Sequence, residues 1–477
     1  MMLFNSIDFA IFLPAVFILY WFVFGKNQRA QNIFLLIAGY AFYSFSDVKL
    51  LYLLFGISFT AYVLGLLLDR CTTILCKRIL LIFGIALLAG VLSVFKFLNF
   101  SKGIVLPLGI SFYTFLSLSY IFDIYLGRMK ACKDPVDALL TLSYFPILLA
   151  GPVQRPALLL PQIKSRRVFE YDLAAEGMRQ ILWGLFMKIM IADNCAVYAD
   201  DIFSNYASYG GSTLLIGAVL YTIQIYADFA GYSEIATGVS KLFGIRLVRN
   251  FSFPYFASDI ADFWKRWHIS LTTWFRDYVF LPLSFSLSRR IPAEKFIGID
   301  TEFFIYTAGI SVTWLLTGIW HGSGANYIVW GLFHGTLLII YHALRKPKKK
   351  IRKLLKDKYV MISITERIMT IAAIIISWII FRTESLSQAS GYISGIFSNS
   401  LFSKPEFSGI RRINPLLISI AVLFIVEWSA RKEDFALKKL FMKRPGALRW
   451  TFYLLTILSM YFFGNFSSGI EFIYFKF

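Results

Sequence analysis

Apolar runs close to 20 residues long recur from one end of this 477-residue chain to the other, and one globular core could not bury them all. A helix rising ~1.5 Å per residue needs roughly 20 residues to cross a ~30 Å hydrocarbon layer. With 58% of residues hydrophobic and only 16% charged, lipid has to serve as solvent for much of the surface. Backbone polar groups in hydrocarbon must be satisfied internally, which predicts an all-α polytopic membrane protein forming one domain over 1–477. The pattern gives about twelve crossings: 9–24, 32–46, 50–68, 79–97, 104–126, 175–198, 212–232, 303–319, 325–342, 362–381, 413–428 and 450–464. No Lys or Arg precedes the first run, Asp8 stands at its start and no small-x-small cleavage site follows, so it reads as a retained span.

The net charge of +20 is distributed as topology requires. Residues 345–358 carry nine Lys and Arg against Asp357, and 431–449 are basic again, while 383–410 between them hold only Lys404 with Glu384 and Glu406. Two basic connections flanking a poor one fit cytoplasmic, outside, cytoplasmic. Extended backwards, this makes the basic stretches at 25–31, 69–78, 127–134, 162–167 and 241–250 cytoplasmic, and the connection with Asp193, Asp200 and Asp201 external. The expected location is the cytoplasmic (inner) membrane with both termini outside. Segments 136–152 and 258–285 have basic residues at both ends and are expected to be re-entrant or broken helices. The charge is read as topological rather than as a nucleic-acid surface, with attraction of anionic lipid or substrate as a second role. Cys71, Cys76, Cys132 and Cys195 lack CxxC spacing, and three fall on the reducing side, so neither a disulfide nor a metal site is expected.

All four histidines, His268, His321, His334 and His342, lie in one stretch. His321 stands in Trp320-His321-Gly322-Ser323-Gly324, between two apolar segments of about 17 residues that would reach only about 25 Å. The turn between them is therefore expected to be submerged, and an ionisable residue there is a candidate for function. A desolvated neutral imidazole suits a general base that takes a hydroxyl proton as the hydroxyl attacks an acyl carbon. A histidine bonded only to a broken helix fits the same residues. His334 and His342 read as structural or interfacial, and no HExxH spacing accompanies any of them.

A second constellation runs from Asp259 and Asp262 through Trp264, Lys265, Arg266, Trp267 and His268 to Ser270, Trp274, Arg276, Asp277 and Pro282. Three cations, three acids and three tryptophans suit the wall of a polar cavity in which Lys265, Arg266 and Arg276 hold a phosphate-bearing donor. An interfacial helix anchored by its tryptophans is the competing description. Asp123, Lys188, Asp228 and Glu234 are isolated in or beside apolar runs and read as buried charges paired to hold the bundle. No GxSxG, P-loop or dinucleotide pattern is present.

The run Leu106-Pro107-Leu108-Gly109-Ile110-Ser111-Phe112-Tyr113, the stretch Leu149-Ala150-Gly151-Pro152, the segment from Asp262-Phe263-Trp264 to Leu281-Pro282, and Trp320-His321-Gly322 occur in this order. Together they resemble the membrane-bound O-acyltransferase family, specifically the bacterial branch with the alginate acetylation protein and, more distantly, the D-alanyl transfer protein of teichoic acids. The likeness covers about residues 3–342, with catalytic region 250–342; residues 343–477 match mainly by hydropathy. It implies helices around a central tunnel joining the membrane faces, catalysis by His321 and a second functional histidine at His268. Candidate substrate contacts are Lys265, Arg266, Arg276, Trp267, Trp320 and Asn326. After Leu281-Pro282-Leu283 this chain has Ser284-Phe285-Ser286-Leu287-Ser288 where the alginate-type pattern has Gly-Gly-Asn-Arg, and Ala325 replaces a usual aromatic. These departures bear on acceptor and tunnel lining.

The expected function is transfer of an acyl group, acetyl above all, from a cytoplasmic thioester such as acetyl-CoA. The acceptor is a hydroxyl of an extracytoplasmic polysaccharide or of a partner transferase, with no bound cofactor, no metal and no nucleic acid. His321 would be the base, and His268 would orient or polarise the thioester. D-alanyl or other acyl transfer to an envelope polymer is one alternative; a polysaccharide or lipid flippase is another, for which buried charges and broken helices are equally expected.

Overall fold

A computed structural model describes residues 2–45, 47–102, 107–355, 359–406, 413–440, 442, 445–466 and 472–473. Leu106 of the first motif, 356–358 and 441, 443 and 444 of the basic stretches, and 407–410 of the poor connection lie outside them. The described chain is almost entirely helical, with one two-residue β-hairpin pairing Lys295–Phe296 with Ile299–Asp300. Each of the twelve predicted crossings overlaps a helix; Ser46 at the end of the second and 104–106 at the start of the fifth lie outside the described residues. Among the described residues, seven helices are long and apolar enough to cross a membrane. The others are shorter, such as Ile413–Ser429.

Two long elements form the centre. Gly211–Leu242 is nearly all buried, and it packs against Tyr171–Leu185, the wide π-type turn Phe186–Ala192 and Asp193–Ser204. Gly177 and Gly184 allow this approach, since a Cβ on either would sit 2.6 Å from a carbonyl oxygen of Gly211–Leu242. The π-type turn carries Lys188, whose ammonium meets Asp193 at 2.7 Å and Asp228 at 2.8 Å. The expected pairing of buried charges is thus found for Lys188 and Asp228 but not, among the described residues, for Glu234, and Asp228 also accepts a hydrogen bond from the Ile473 backbone N–H at 2.7 Å. Asp123 accepts from the Tyr278 hydroxyl, and Glu234 from the Gln180 amide.

Connections assigned to the same membrane face touch one another. Arg29 pairs with Asp134, Gln28 donates to the Ile163 carbonyl, Gln162 donates to that of Arg246, and Arg249 donates to that of Glu433. On the other face Arg382 pairs with Asp200, Thr213 donates to the Glu406 carbonyl, and Asn194 donates to that of Phe463.

Two expectations need correction. The helices flanking Gly322 are Thr301–His321 and Ala325–Leu355, of 21 and 31 residues, so they are not short spans. The apolar count stopped at the first polar residues, but helical hydrogen bonding continues through them, and the basic run after His342 is helix rather than loop as far as Leu355. Cys71 and Cys76, expected as free thiols, are joined in a disulfide because the tight turn between Leu50–Arg70 and the following helix brings their Cα atoms to 6.1 Å.

Candidate active site

The motifs noted in the sequence converge. Gly109 has φ +72, and a Cβ there would lie 2.1 Å from the Leu148 carbonyl oxygen, so only glycine lets the Pro107-Leu108-Gly109 turn seat against Leu148-Leu149. From the helix that follows, Ile110–Tyr125, Phe115 stacks on Trp274 at 4.1 Å between ring centroids and also contacts Trp320. Ser119 accepts from the Trp274 indole N–H at 2.8 Å.

Residues 258–285 are broken, as expected, between the short helix Ile260–Trp264 and a helical stretch that runs from Ile269–Phe275 through the π-type turn Arg276–Phe280 into Leu281–Arg290. The break falls at His268, whose φ of 42 and ψ of 50 lie in the left-handed region. For a residue with a Cβ this costs about 1–3 kcal/mol and must be held by surrounding bonds. Asn250 supplies two of them: its carbonyl accepts from Ile269 N–H at 2.8 Å, and its side-chain oxygen lies 3.0 Å from His268 Nδ1.

Thr301–His321 and Ala325–Leu355 form the facing wall. A Cβ on Gly318 would come within 2.5 Å of the Tyr327 carbonyl oxygen, and one on Gly331 within 2.3 Å of that of Trp314. Glycines therefore let the two backbones touch, and this hairpin carries His321 as the last helical residue. His321 is buried among Trp320, Trp330 and Phe381, with ring centroids at 4.7, 4.9 and 5.1 Å.

Between these walls lies a cavity of about 460 Å³. His268 and His321 line its buried end with Trp267, Trp330 and Trp378; Lys265 and Arg276, both exposed, line it at the other. Thr313 and Thr317 turn their hydroxyls back to helix carbonyls, leaving a mostly apolar face. A largely apolar site lined by two imidazoles and two exposed cations can move a proton between a hydroxyl and a leaving group and can receive an anion-bearing ligand. Among the described residues no group of three or more His, Cys, Asp and Glu stands close enough to hold a metal ion.

The remaining candidates are distributed differently. Arg266 donates to Asp262 at 2.9 Å and to the Ser252 carbonyl, and it does not line the cavity. Burial acts to raise the Asp262 carboxyl pKa, but the Arg266 bond and the Ser258 backbone N–H outweigh it and hold the pKa below its ordinary value. Arg276 donates to Asp277, which also pairs with Arg155 at 3.1 Å. Asn326 donates to the Thr383 carbonyl at 2.8 Å and so ties the hairpin to the helix ending at Arg382. Trp320 stands behind His321, with its ring centroid 6.4 Å from that of His268. His334 is buried among three tryptophans and accepts from the Trp264 indole N–H at 3.3 Å, while His342 stacks on Tyr306.

Two neighbours of the site were not singled out from the sequence. Lys96 donates to the Trp320 carbonyl with its ammonium 5.1 Å from the Trp320 ring centroid; its signal was an isolated cation in the run 79–97. Phe229 meets His268 edge-on at 4.6 Å and in turn touches Phe472 at 6.0 Å. A phenylalanine in a helix this apolar carries no signal of its own.

Comparison with known proteins gives one consistent result. The model of MBOAT, the membrane-bound O-acyltransferase family, matches residues 134–294, which include the broken segment with His268 and end before His321. A probable alginate O-acetylase of Pseudomonas aeruginosa is 35% identical over 445 residues, covering 89% of this chain and 80% of its own. A peptidoglycan O-acetyltransferase of Helicobacter pylori is 28% identical over 473 residues, covering 89% and 86%. A teichoic acid D-alanyltransferase of Bacillus subtilis is 31% identical over 261 residues, covering 54% and 64%.

Proposed function

The chain belongs to the membrane-bound O-acyltransferase family, and we propose that it moves an acetyl group from a cytoplasmic thioester to a hydroxyl of an extracytoplasmic polysaccharide or partner transferase. It is a multi-pass membrane acyltransferase; donor, acceptor and residue roles are our reading. The observation that carries this reading is the cavity of about 460 Å³ with His321 and His268 at its buried end and Lys265 and Arg276 at its mouth. The acetyl group and the hydroxyl acceptor are supported by relatives named for O-acetylation of alginate and peptidoglycan. The basic connections support a cytoplasmic-membrane orientation with both termini outside.

In this mechanism His321 takes the proton of the attacking hydroxyl as its oxygen bonds to the thioester carbonyl carbon. The carbon–sulfur bond then breaks, and the proton passes from His321 to the departing thiolate. His268 aligns the reacting groups. Lys265 and Arg276 attract the phosphates of a donor such as acetyl-CoA, while Arg266, committed to Asp262, keeps the segment in shape. The apolar walls strengthen these interactions and keep water from the thioester. D-alanyl transfer is the second reading, favoured by the likeness to a teichoic acid D-alanyltransferase over about half the chain.

The test is transfer from labelled acetyl-CoA in membranes containing wild type, His321→Ala or His342→Gln at matched amounts of folded protein. Loss of about 100-fold or more in His321→Ala alone is expected for removal of a general base. Undiminished product from His321→Ala overturns its role, and label accepted only from a D-alanyl thioester overturns the choice of acetyl.

A further inference from the structure

His268 is held by a short chain of hydrogen bonds that runs away from the cavity. The Val153 backbone N–H donates to Ser270 Oγ at 2.9 Å, and the Ser270 hydroxyl donates to Asn250 Oδ1 at 2.8 Å. Asn250 Nδ2 donates to Ser233 Oγ at 2.9 Å, and Asn250 Oδ1 also lies 3.0 Å from His268 Nδ1. All of these side chains are buried. Asn250 turns its Nδ2 to Ser233 and its Oδ1 to both Ser270 Oγ and His268 Nδ1, so the Ser270 hydroxyl hydrogen is directed to that amide oxygen. An amide oxygen has no proton to give, so the His268 nitrogen facing it must carry one.

From this geometry we infer that Asn250 is a positioning residue that holds neutral His268 in the tautomer protonated at Nδ1, leaving the lone pair on Nε2. The inference rests on the acyltransferase reading and sharpens it. A neutral His268 of this form accepts a hydrogen bond at the reacting centre. It cannot polarise the thioester carbonyl, which would need an N–H on Nε2. Its role is to accept a hydrogen bond from a second donor on the bound acceptor, such as a neighbouring hydroxyl, and so turn the attacking oxygen toward the acyl carbon while His321 takes the attacking hydroxyl's own proton. The same bonds hold the left-handed backbone at His268, so one asparagine fixes both ring and main chain. Partners behind a functional imidazole commonly set its tautomer in this way.

The chain has only four histidines, so ring-15N labelling of the full-length protein in nanodiscs gives a spectrum that His268→Gln and His334→Gln can assign. His334 provides an internal contrast: its Nδ1 accepts from Trp264, so it should be protonated at Nε2 while His268 is protonated at Nδ1. Asn250→Asp, which keeps only acceptors, should preserve the His268 signal and most of kcat. Asn250→Leu should lose the tautomer and lower kcat about 100-fold or more with little change in donor KM, in line with the large loss a wrong tautomer causes in other imidazole-dependent enzymes. Where Asn250→Leu does not fold, Ser270→Ala replaces it, and mixed tautomers with reduced kcat are expected. A wild-type His268 protonated at Nε2 overturns the inference, as does an unaltered tautomer with wild-type kcat in Asn250→Leu or Ser270→Ala. The nitrogen signal needs no substrate, so a failure of acetyl transfer counts against the proposed function alone.

Discussion

Lys188 Nζ lies 2.8 Å from Asp228 Oδ1 inside the bundle, both side chains buried, joining the π-type turn Phe186–Ala192 to the long central helix. Asp193 completes the group at 2.7 Å, and the Ile473 N–H meets the other oxygen of Asp228. Removing the cation would leave two carboxylates in a dry interior. Lys188→Met should therefore destabilise the fold by about 3–5 kcal/mol, the range for breaking a buried ion pair from one side. Adding Asp228→Asn should recover part of that loss. Thermal melting of the detergent-solubilised protein measures both, and a melting temperature for Lys188→Met equal to wild type would remove the triad from any structural role.

Gly109 and Gly127 share nearly the same backbone, with φ of +72 and +70, but not the same surroundings. A methyl group on Gly109 collides with the Leu148 carbonyl, whereas one on Gly127 meets nothing within 4 Å. Gly127→Ala should cost only the left-handed backbone term, about 1–2 kcal/mol. Gly109→Ala should lose most of the folded yield, because it separates the first motif from the Leu149-Ala150-Gly151-Pro152 stretch. Size-exclusion profiles of the two variants decide it; equal yields would mean that the turn can move without disturbing the site.

Lys265 stands exposed at the cavity mouth, and the proposed donor is anionic. Lys265→Glu should raise KM for acetyl-CoA several-fold at low salt and leave kcat within about two-fold, the pattern of a residue that guides binding without touching chemistry. The defect should shrink as ionic strength rises, since exposed charges are screened beyond about 10 Å at 0.1 M salt. A fall in kcat at unchanged KM would instead place Lys265 near the reacting atoms.

Much of the architecture can be read from hydropathy, because each crossing predicted from apolar length overlaps a helix among the described residues. Charge counting grouped the connections into two faces, and the contacts of Arg29 with Asp134 and of Arg382 with Asp200 follow that grouping. Length was misjudged around His321, where the helix runs on into Arg345 and Lys346 and apolar counting does not. His268 and His321 were visible as polar residues in apolar surroundings, and the structure brings them to one cavity. Asn250 was hidden for a different reason. It ends a basic stretch whose charge explained it too easily, and its partner lies 18 residues on, beyond any helical or strand spacing. Pairings made by a chain reversal of that kind leave no period in a sequence.

The glycine contacts behind His321 divide the pocket into two parts of unequal freedom. Gly318 and Gly331 bring the two helices of the hairpin so close that any added carbon would push them apart, so the wall bearing His321 tolerates almost no revision. The opposite wall, Ile269–Phe275, presents the half-buried Ile269, Thr272 and Thr273 to the pocket. A different acyl group or acceptor can therefore be accommodated by exchanging those side chains, while the hairpin bearing His321 keeps its backbone fixed.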